Sequence, residues 1–208
     1  MKGAHEVLLV VDVQNDFMPG GALAVPHGDE IVPLVNRLAR GFSHVMLTQD
    51  WHPASHVSFA ANHAGRAPFE TIALPYGDQV LWPVHCVQAT SGAQFHSELD
   101  VPHARGVIRK GHHANVDSYS AFLEADRKTP TGLAGYLRET GVTRVWCCGL
   151  ATDYCVAWSA LDARAAGFEV AVIEDASRAI DLNGSLAAAW QQLQAGGVSR
   201  VQSAEVLR

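Results

Sequence analysis

Short apolar runs alternate with longer amphipathic segments along most of this chain. Short runs rich in valine are typical of strands that are covered on both faces of a sheet. Five such runs stand out, at 7–13, 44–48, 106–110, 144–150 and 169–174. A sixth strand is predicted at 201–206.

Most of the intervals between these strands contain apolar residues at helical spacing. In 29–42 the apolar residues Ile31, Leu34, Val35 and Leu38 recur along one helical face. Three more helices are predicted, each with a glycine close behind it, at 131–139, 153–166 and 185–195. Strands that alternate with helices predict a three-layer α/β/α fold around a mostly parallel six-stranded sheet.

The interval 50–105 breaks this alternation. It is rich in histidine, proline, tryptophan and glycine. Because loops of this length are uncommon inside a compact domain and are usually functional, we predict that this loop contributes to a site.

Composition narrows the function classes. The net charge is −6 and no run of lysine and arginine occurs, which argues against a nucleic-acid partner. No segment approaches the roughly 20 apolar residues that a membrane span requires. The apolar run 7–11 is broken by Asp12 and is too short for a signal peptide, so we expect a cytoplasmic protein.

Side chains with chemical potential follow the predicted strands. Asp12 ends the first strand, Asp50 and His52 follow the second, Lys110 ends the third and Cys155 follows the fourth. Ligands of doubly wound sheets bind beyond the carboxyl ends of the strands. We therefore expect these groups to gather at one edge of the sheet.

Cys155 allows two interpretations. With Thr152 as an N-cap, Cys155 lies in the first turn of a helix, where the helix dipole and a nearby lysine stabilise a thiolate. Alternatively, Cys155 is a small apolar residue that packs the helix on the sheet. The adjacent Cys147 and Cys148 are predicted to be buried strand residues, because no C-x-x-C spacing suggests a zinc finger.

Asp12 requires a partner if it is buried, and Lys110 is the predicted one. The pair is either a structural ion pair or part of a cluster with Cys155. In such a cluster the carboxylate takes the thiol proton and returns it to a leaving amine.

Asp50 and His52 form a D-x-H pair that places two side chains on the same side of an extended segment. His85 is a third candidate ligand, and an Asp/His/His set suits Zn²⁺, Fe²⁺ or Mn²⁺. A loop turn with a solvated histidine is the alternative. His56 and His63 are further candidates.

Three aromatic residues, Phe17, Trp51 and Trp82, flank these polar groups. They wall a pocket for a flat ring or pack in the core. Gly20 and Gly21 lack the G-x-G-x-x-G spacing of a dinucleotide site, so no nucleotide cofactor is expected.

Five segments, in order along nearly the whole chain, resemble the nicotinamidase/pyrazinamidase family of isochorismatase-like cysteine hydrolases. They are VVDVQNDFMPGGAL, TQDWHPASHVSFAANH, LWPVHCV, VIRKG and GLATDYCV. The resemblance implies an isochorismatase-like (Rossmann-like) fold. It also implies that residues 1–208 form a single hydrolase domain, with the metal-binding loop at about 50–105.

The resemblance also implies site residues. Asp12, Lys110 and Cys155 would be the catalytic triad, and Phe17 and Trp82 would sandwich the substrate ring. One divalent ion (Zn, Fe or Mn) would be held by Asp50, His52 and His85. Some relatives add a further histidine, for which His56 is the nearest candidate, although it lies closer to His52 than in those relatives. A cis peptide at Leu150–Ala151 would present the amides of Ala151 and Cys155 as an oxyanion hole.

The implied activity is hydrolysis of nicotinamide to nicotinate and ammonia through a cysteine thioester, in NAD salvage, with pyrazinamide as a further substrate. The resemblance implies a homo-oligomer. One rival is a related amidohydrolase or isochorismatase, although the D-W-H and W-P-V-H-C segments argue against an isochorismatase. The other is a non-catalytic metal- or ligand-binding protein, which the intact triad argues against.

Overall fold

A computed structural model describes residues 1–208. Its eight strands are β1 Glu6–Val11, β2 Val45–Asp50, β3 Thr71–Leu74, β4 Gly77–Val80, β5 Gly106–Lys110, β6 Arg144–Leu150, β7 Glu169–Arg178 and β8 Ser199–Val201. Its five α-helices are α1 Val32–Ala39, α2 Leu133–Glu139, α3 Ala157–Ala165, α4 Ser185–Ala195 and α5 Ser203–Val206. No helix has the length and the apolar composition that crossing a membrane demands.

Six strands form one sheet in the order β5-β2-β1-β6-β7-β8, and every neighbouring pair is parallel. Side chains alternate across it, as the pleat requires. Leu8 and Val10 of β1 pack in the cluster that contains α1 and α5. Val7 and Leu9 pack on the other face with α2, α3 and α4. The expected three-layer α/β/α fold is confirmed.

The strands after β1 are added first on one side of it, as β2 and β5, and then on the other side, as β6, β7 and β8. This change of direction leaves a crevice at the carboxyl ends of β1 and β6. Gly149 makes the close approach there. It has a φ of +119°, and a Cβ at this position would lie 2.1 Å from the carbonyl oxygen of Val11. Only glycine allows β6 to leave the sheet beside β1 in this way.

Two elements differ from the sequence prediction. The sixth strand is not at 201–206: β8 is Ser199–Val201, and a short helix, α5, follows it. Gln202 and Glu205 form a capping box that begins this helix, and that local signal outweighs the strand propensity of the valines. The long loop also contains an unpredicted hairpin of β3 and β4, two strands of four residues each, which are too short to give a clear periodic pattern.

Candidate active site

Four strand ends bring the predicted polar residues together. Asp12 directly follows β1, while Asp50 and Lys110 are the last residues of β2 and β5 and lie opposite each other in the parallel register. Cys155 comes from the turn that follows β6. The carboxylates of Asp12 and Asp50 and the sulfur of Cys155 lie within 4.8 Å of one another.

Lys110 is the centre of this cluster. Its Nζ lies 2.7 Å from Oδ2 of Asp12 and donates to Sγ of Cys155 over 3.2 Å. It also donates to Asp50 and, over 3.2 Å, to the carbonyl oxygen of Ser118. Its side chain is fully buried, so the ammonium has exchanged water for these four partners.

The pKa directions in the cluster follow from burial and charge. Burial alone would lower the pKa of Lys110, but Asp12 and Asp50 together raise it well above its usual value. Lys110 is therefore a permanent cation. Burial is the largest cause that raises the pKa of Asp12, and Lys110 opposes it. The raised pKa means that Asp12 holds a proton more readily than an exposed aspartate does.

Burial also raises the pKa of Cys155 well above its usual value; Lys110 lowers it, while Asp12 and Asp50 raise it. These directions run against the thiolate that a helix start was expected to stabilise, and the protonation state of Cys155 stays a prediction. With two carboxylates beside the sulfur, we expect the thiol form to dominate until a base removes its proton.

Thr48, which sequence reasoning missed, fixes the carboxylate of Asp12. Its hydroxyl donates to Oδ1 of Asp12 over 2.6 Å and accepts the amide N–H of Asp12 over 3.1 Å. Asp12 itself has a φ of +47°. A threonine inside an apolar strand carries no sequence signal for this role, because threonine is common in strands whatever its side chain contacts.

The segment that carries Cys155 is not the predicted N-capped helix. Residues Thr152–Val156 form a π-helical turn, with Ala151 as the residue before it and no side-chain cap. Such turns are rare and occur frequently at functional sites. The peptide bond Leu150–Ala151 is cis, as the resemblance implied. Asp153 accepts the N–H groups of Ile180 and Asp181 over 3.1 and 2.8 Å and so ties this turn to the end of β7.

Three buried side chains form a site that can hold a metal ion. Oδ2 of Asp50 lies 3.5 Å from Nε2 of His52 and 3.8 Å from Nε2 of His85. Nδ1 of His52 contacts the carbonyl oxygen of Gly111 over 2.9 Å, and Nδ1 of His85 contacts that of Pro83 over 2.8 Å. Backbone carbonyls accept, so both Nδ1 atoms carry the proton and both Nε2 lone pairs face Asp50. This donor set fits a divalent ion.

Gln14 holds Asp50 in place. Its Nε2 donates to the carbonyl oxygen of Asp50 over 2.9 Å and its Oε1 accepts the N–H of Asp50 over 2.7 Å. A second bond from Nε2 reaches the carbonyl oxygen of Ala93 over 2.9 Å. The side chain therefore joins the end of β2 to the long loop. Sequence reasoning missed Gln14, because nothing local marks a glutamine whose hydrogen-bond partner lies 36 positions away.

The remaining predicted ligands lie close by with other partners. His56 stacks against His52, with ring centroids 4.2 Å apart, but its Nδ1 accepts the N–H of Ser58 and its Nε2 contacts the carbonyl oxygen of Val116. Burial and then His52 lower its pKa to about 4, so the ring is neutral. A ligand role for His56 stays a prediction. His63 binds the carbonyl oxygen of Val57 instead.

A narrow, mainly apolar pocket opens onto Cys155. It is lined by both predicted ring-binding residues, Phe17 and Trp82, by the three candidate metal ligands, and by Ala151 and Cys155 of the predicted oxyanion hole. Trp51 lies outside it and stacks under the guanidinium of Arg109, 3.9 Å from the ring centroid. Five lining residues were missed by sequence reasoning: Leu23, Asp117, Tyr119, Tyr154 and Ile180. Position just beyond a strand end was the signal for Ile180, whereas Tyr119 lies far from one.

Comparison with known proteins shows which family this chain resembles over nearly its whole length. A family model described as the Isochorismatase domain matches residues 6–205. The nicotinamidase of Acinetobacter baylyi is 58% identical over 208 residues, which is 100% of this chain and 97% of that protein.

Two solved structures extend the comparison. A nicotinamidase/pyrazinamidase of Acinetobacter baumanii superposes with a TM-score of 0.99 at 58% identity, over 100% of both chains. A pyrazinamidase of Pyrococcus horikoshii, solved in complex with zinc, gives a TM-score of 0.79 at 40% identity over 95% of this chain and 99% of its own. The chain therefore belongs to the nicotinamidase/pyrazinamidase family of isochorismatase-like amide hydrolases.

Proposed function

We propose that this enzyme hydrolyses nicotinamide to nicotinate and ammonia through a thioester on Cys155, as part of NAD salvage. The observation that carries the proposal is the ammonium of Lys110, which lies 3.2 Å from Sγ of Cys155 and 2.7 Å from Oδ2 of Asp12, behind an apolar pocket that Cys155 lines. A cysteine, a carboxylate and a cation in this contact are the parts of a nucleophilic amidase.

The acylation step follows from the positions of these groups. Asp12 takes the proton of the Cys155 thiol while Sγ attacks the carboxamide carbon. The N–H groups of Ala151 and Cys155, which both line the pocket, donate to the oxygen that becomes negative. When the tetrahedral intermediate collapses, the C–N bond breaks and Asp12 gives its proton to the departing nitrogen, which leaves as ammonia.

In deacylation Asp12 acts as a base for a second time. It takes a proton from a water molecule, which attacks the thioester carbon, and the C–S bond breaks to release nicotinic acid, which loses its remaining proton to water as nicotinate. The proton on Asp12 returns to the sulfur. The raised pKa of Asp12 supports both duties, because a carboxyl group must hold the proton between the two steps.

Lys110 has an electrostatic role in this scheme. Its raised pKa keeps the ammonium charged throughout, so it does not exchange the reacting proton. It offsets the negative charge that passes between Cys155 and Asp12, and it holds both side chains in contact. A cation that is fixed in a site without water stabilises such charge more strongly than it would in solution.

The walls of the pocket suit a small aromatic amide. Trp82 is held by a hydrogen bond from its Nε1 to the hydroxyl of Tyr119 over 2.9 Å and packs edge-on against Tyr154, with centroids 4.9 Å apart. Phe17 faces His85 at 5.6 Å. We propose that Phe17 and Trp82 enclose the pyridine ring, so that pyrazinamide, with a similar ring, is also cleaved.

We propose that Asp50, His52 and His85 hold one divalent ion, which is Zn, Fe or Mn. The two Nε2 atoms that face Asp50 support this, and the zinc complex of the Pyrococcus relative supports zinc as one of the choices. When bound, the ion supplies a positive charge that orients the ring nitrogen of the substrate. The active form is proposed to be a homo-oligomer of single-domain chains.

Three amides test the substrate assignment. The metal-loaded enzyme is expected to release ammonia and the matching acid in equal amounts from nicotinamide and from pyrazinamide. Benzamide, which lacks the ring nitrogen, is expected to react much more slowly at equal concentration. Turnover of other small amides without release of ammonia from nicotinamide would transfer the proposal to a different amidohydrolase.

A further inference from the structure

A second group of metal-binding side chains lies outside the pocket. His112, His113 and Glu124 each offer a nitrogen or oxygen atom, and these atoms lie within 4.8 Å of one another. None of the three residues lines the substrate pocket. We propose that they form a second site for a divalent cation of the zinc type, separate from the Asp50/His52/His85 site.

The backbone brings the two histidines to the same side. Consecutive residues of an extended chain point in opposite directions. Here the chain turns at Gly111, which has a φ of +63°, and the imidazole centroids of His112 and His113 lie 4.1 Å apart with an interplanar angle of 43°. The two rings therefore form a paired donor set.

Glu124 approaches this pair from the protein side. Its side chain is only 3% exposed, and Oε1 lies 2.7 Å from Nδ1 of His113. Its backbone is fixed by two bonds of 2.9 Å, because its N–H donates to Thr129 and its carbonyl oxygen accepts from Arg127. The carboxylate makes no other side-chain hydrogen bond in the protein. A buried carboxylate with one imidazole partner retains lone pairs for an ion.

The donor set selects the class of ion. Two imidazoles and one carboxylate match the ligands of open Zn²⁺ sites and of other borderline divalent metals, and they do not suit Ca²⁺ or Mg²⁺, which prefer oxygen. The exposed side of His112 and His113 gives an ion a direct path from solvent. Water would complete its coordination.

The second site shares a segment with the catalytic centre. The carbonyl oxygen of Gly111, directly before His112, contacts Nδ1 of His52, and that of Ser118 accepts from Lys110. Both carbonyls lie in or beside the segment from His112 to Glu124 that the ion would close into a loop. The ion would therefore bind beside the catalytic centre, on a segment whose backbone already contacts His52 and Lys110 without it.

Equilibrium dialysis against buffered Zn²⁺, with metal analysis of the protein, tests the proposal. The variants His112→Ala and Glu124→Gln are expected to bind one equivalent less than the wild-type protein. His27→Ala is the matched control, because His27 contacts Glu30 over 2.9 Å on the surface without a second histidine. It is expected to bind as much as the wild type.

Two further measurements keep the result decisive. His85→Ala should lose the catalytic ion and retain the second one, and hydrolysis by His112→Ala should stay near the wild-type rate once the catalytic site is loaded. Equal Zn²⁺ content in the wild type, His112→Ala and Glu124→Gln would overturn the proposal and leave His113 and Glu124 as a simple hydrogen-bonded pair. Circular dichroism verifies that the exposed His112→Ala variant is folded.

Discussion

Nζ of Lys110 lies 3.2 Å from Sγ of Cys155, and both residues are buried. The contact joins the end of β5 to the turn after β6, two strands that are separated in the sheet by β2 and β1. The nucleophile and the cation therefore meet only when these four neighbouring strands are paired.

Replacing Lys110 with methionine is expected to abolish measurable hydrolysis and to destabilise the protein. The substitution leaves Asp12 and Asp50 buried together without a cation, and breaking a buried ion pair costs about 3–5 kcal/mol. Chemical denaturation measures this loss. Lys128→Met, at an exposed loop position, is the control and should unfold at the wild-type midpoint. Near-wild-type activity of Lys110→Met would contradict the proposed role.

The variant Asp12→Asn is expected to lower kcat by about 10²–10⁴-fold, because the amide cannot carry the proton from Cys155 to the leaving nitrogen. Its shape is retained, and Thr48 can still hold the side chain. The rate of ammonia release at saturating nicotinamide measures the effect. A kcat that is unchanged while KM rises would assign Asp12 to substrate binding instead.

Gly111→Ala tests how the backbone orients His52. A Cβ at this position would lie 2.3 Å from Cε1 of His52, and the residue has a φ of +63°. The displaced ring is expected to lower metal affinity about 10–100-fold, the usual effect of disturbing a group that supports a ligand. Competition with a chelator of known affinity measures the change.

Gly132→Ala controls for the strain of a positive φ alone. Gly132 has a φ of +96° with nothing within 4 Å of an added Cβ. It should lose stability and keep its metal affinity. Equal loss of affinity in both variants would show that backbone strain, rather than the clash with His52, is the cause.

His85→Ala is expected to reduce the catalytic metal content and, with it, the rate of nicotinamide hydrolysis. His85 contributes a nitrogen atom to the site and is otherwise held only through the carbonyl oxygen of Pro83. Metal analysis and rate are measured on the same sample. His5→Ala, at an exposed terminal position, is the control. Full activity in a sample of His85→Ala that is verified to be free of metal would make the ion irrelevant to the reaction.

Most of the site residues were predicted from one rule, that ligands of doubly wound sheets bind beyond the carboxyl ends of the strands. Asp12, Asp50, Lys110 and Cys155 were identified because each follows an apolar run, and parallel strands bring such positions to one edge. The fold class was predictable for a related reason, since the runs that form β1, β2, β6 and β7 are largely buried and mainly apolar, whereas the edge strand β5 is partly exposed and gave a weaker pattern.

The contacts that depend on three-dimensional packing were not predictable. Thr48 and Gln14 act through hydrogen bonds to residues 36 positions away, and nothing local in the sequence marks them. The π-helical turn at Thr152–Val156 was missed because Thr152 fits the N-cap pattern equally well. The raised pKa of Cys155 follows from burial beside two carboxylates, which only the assembled site reveals.

The central claim is that Cys155 is the nucleophile, and ammonia release from nicotinamide by Cys155→Ala tests it most directly. Cys147→Ala is the matched control, because Cys147 is a buried cysteine of β6 whose pKa is raised to about 12 by burial. Both variants are assayed with the catalytic site loaded with metal. We predict a rate within a few-fold of wild type for Cys147→Ala and a loss of at least about 10³-fold for Cys155→Ala. Ammonia release by Cys155→Ala at the wild-type rate would contradict the account.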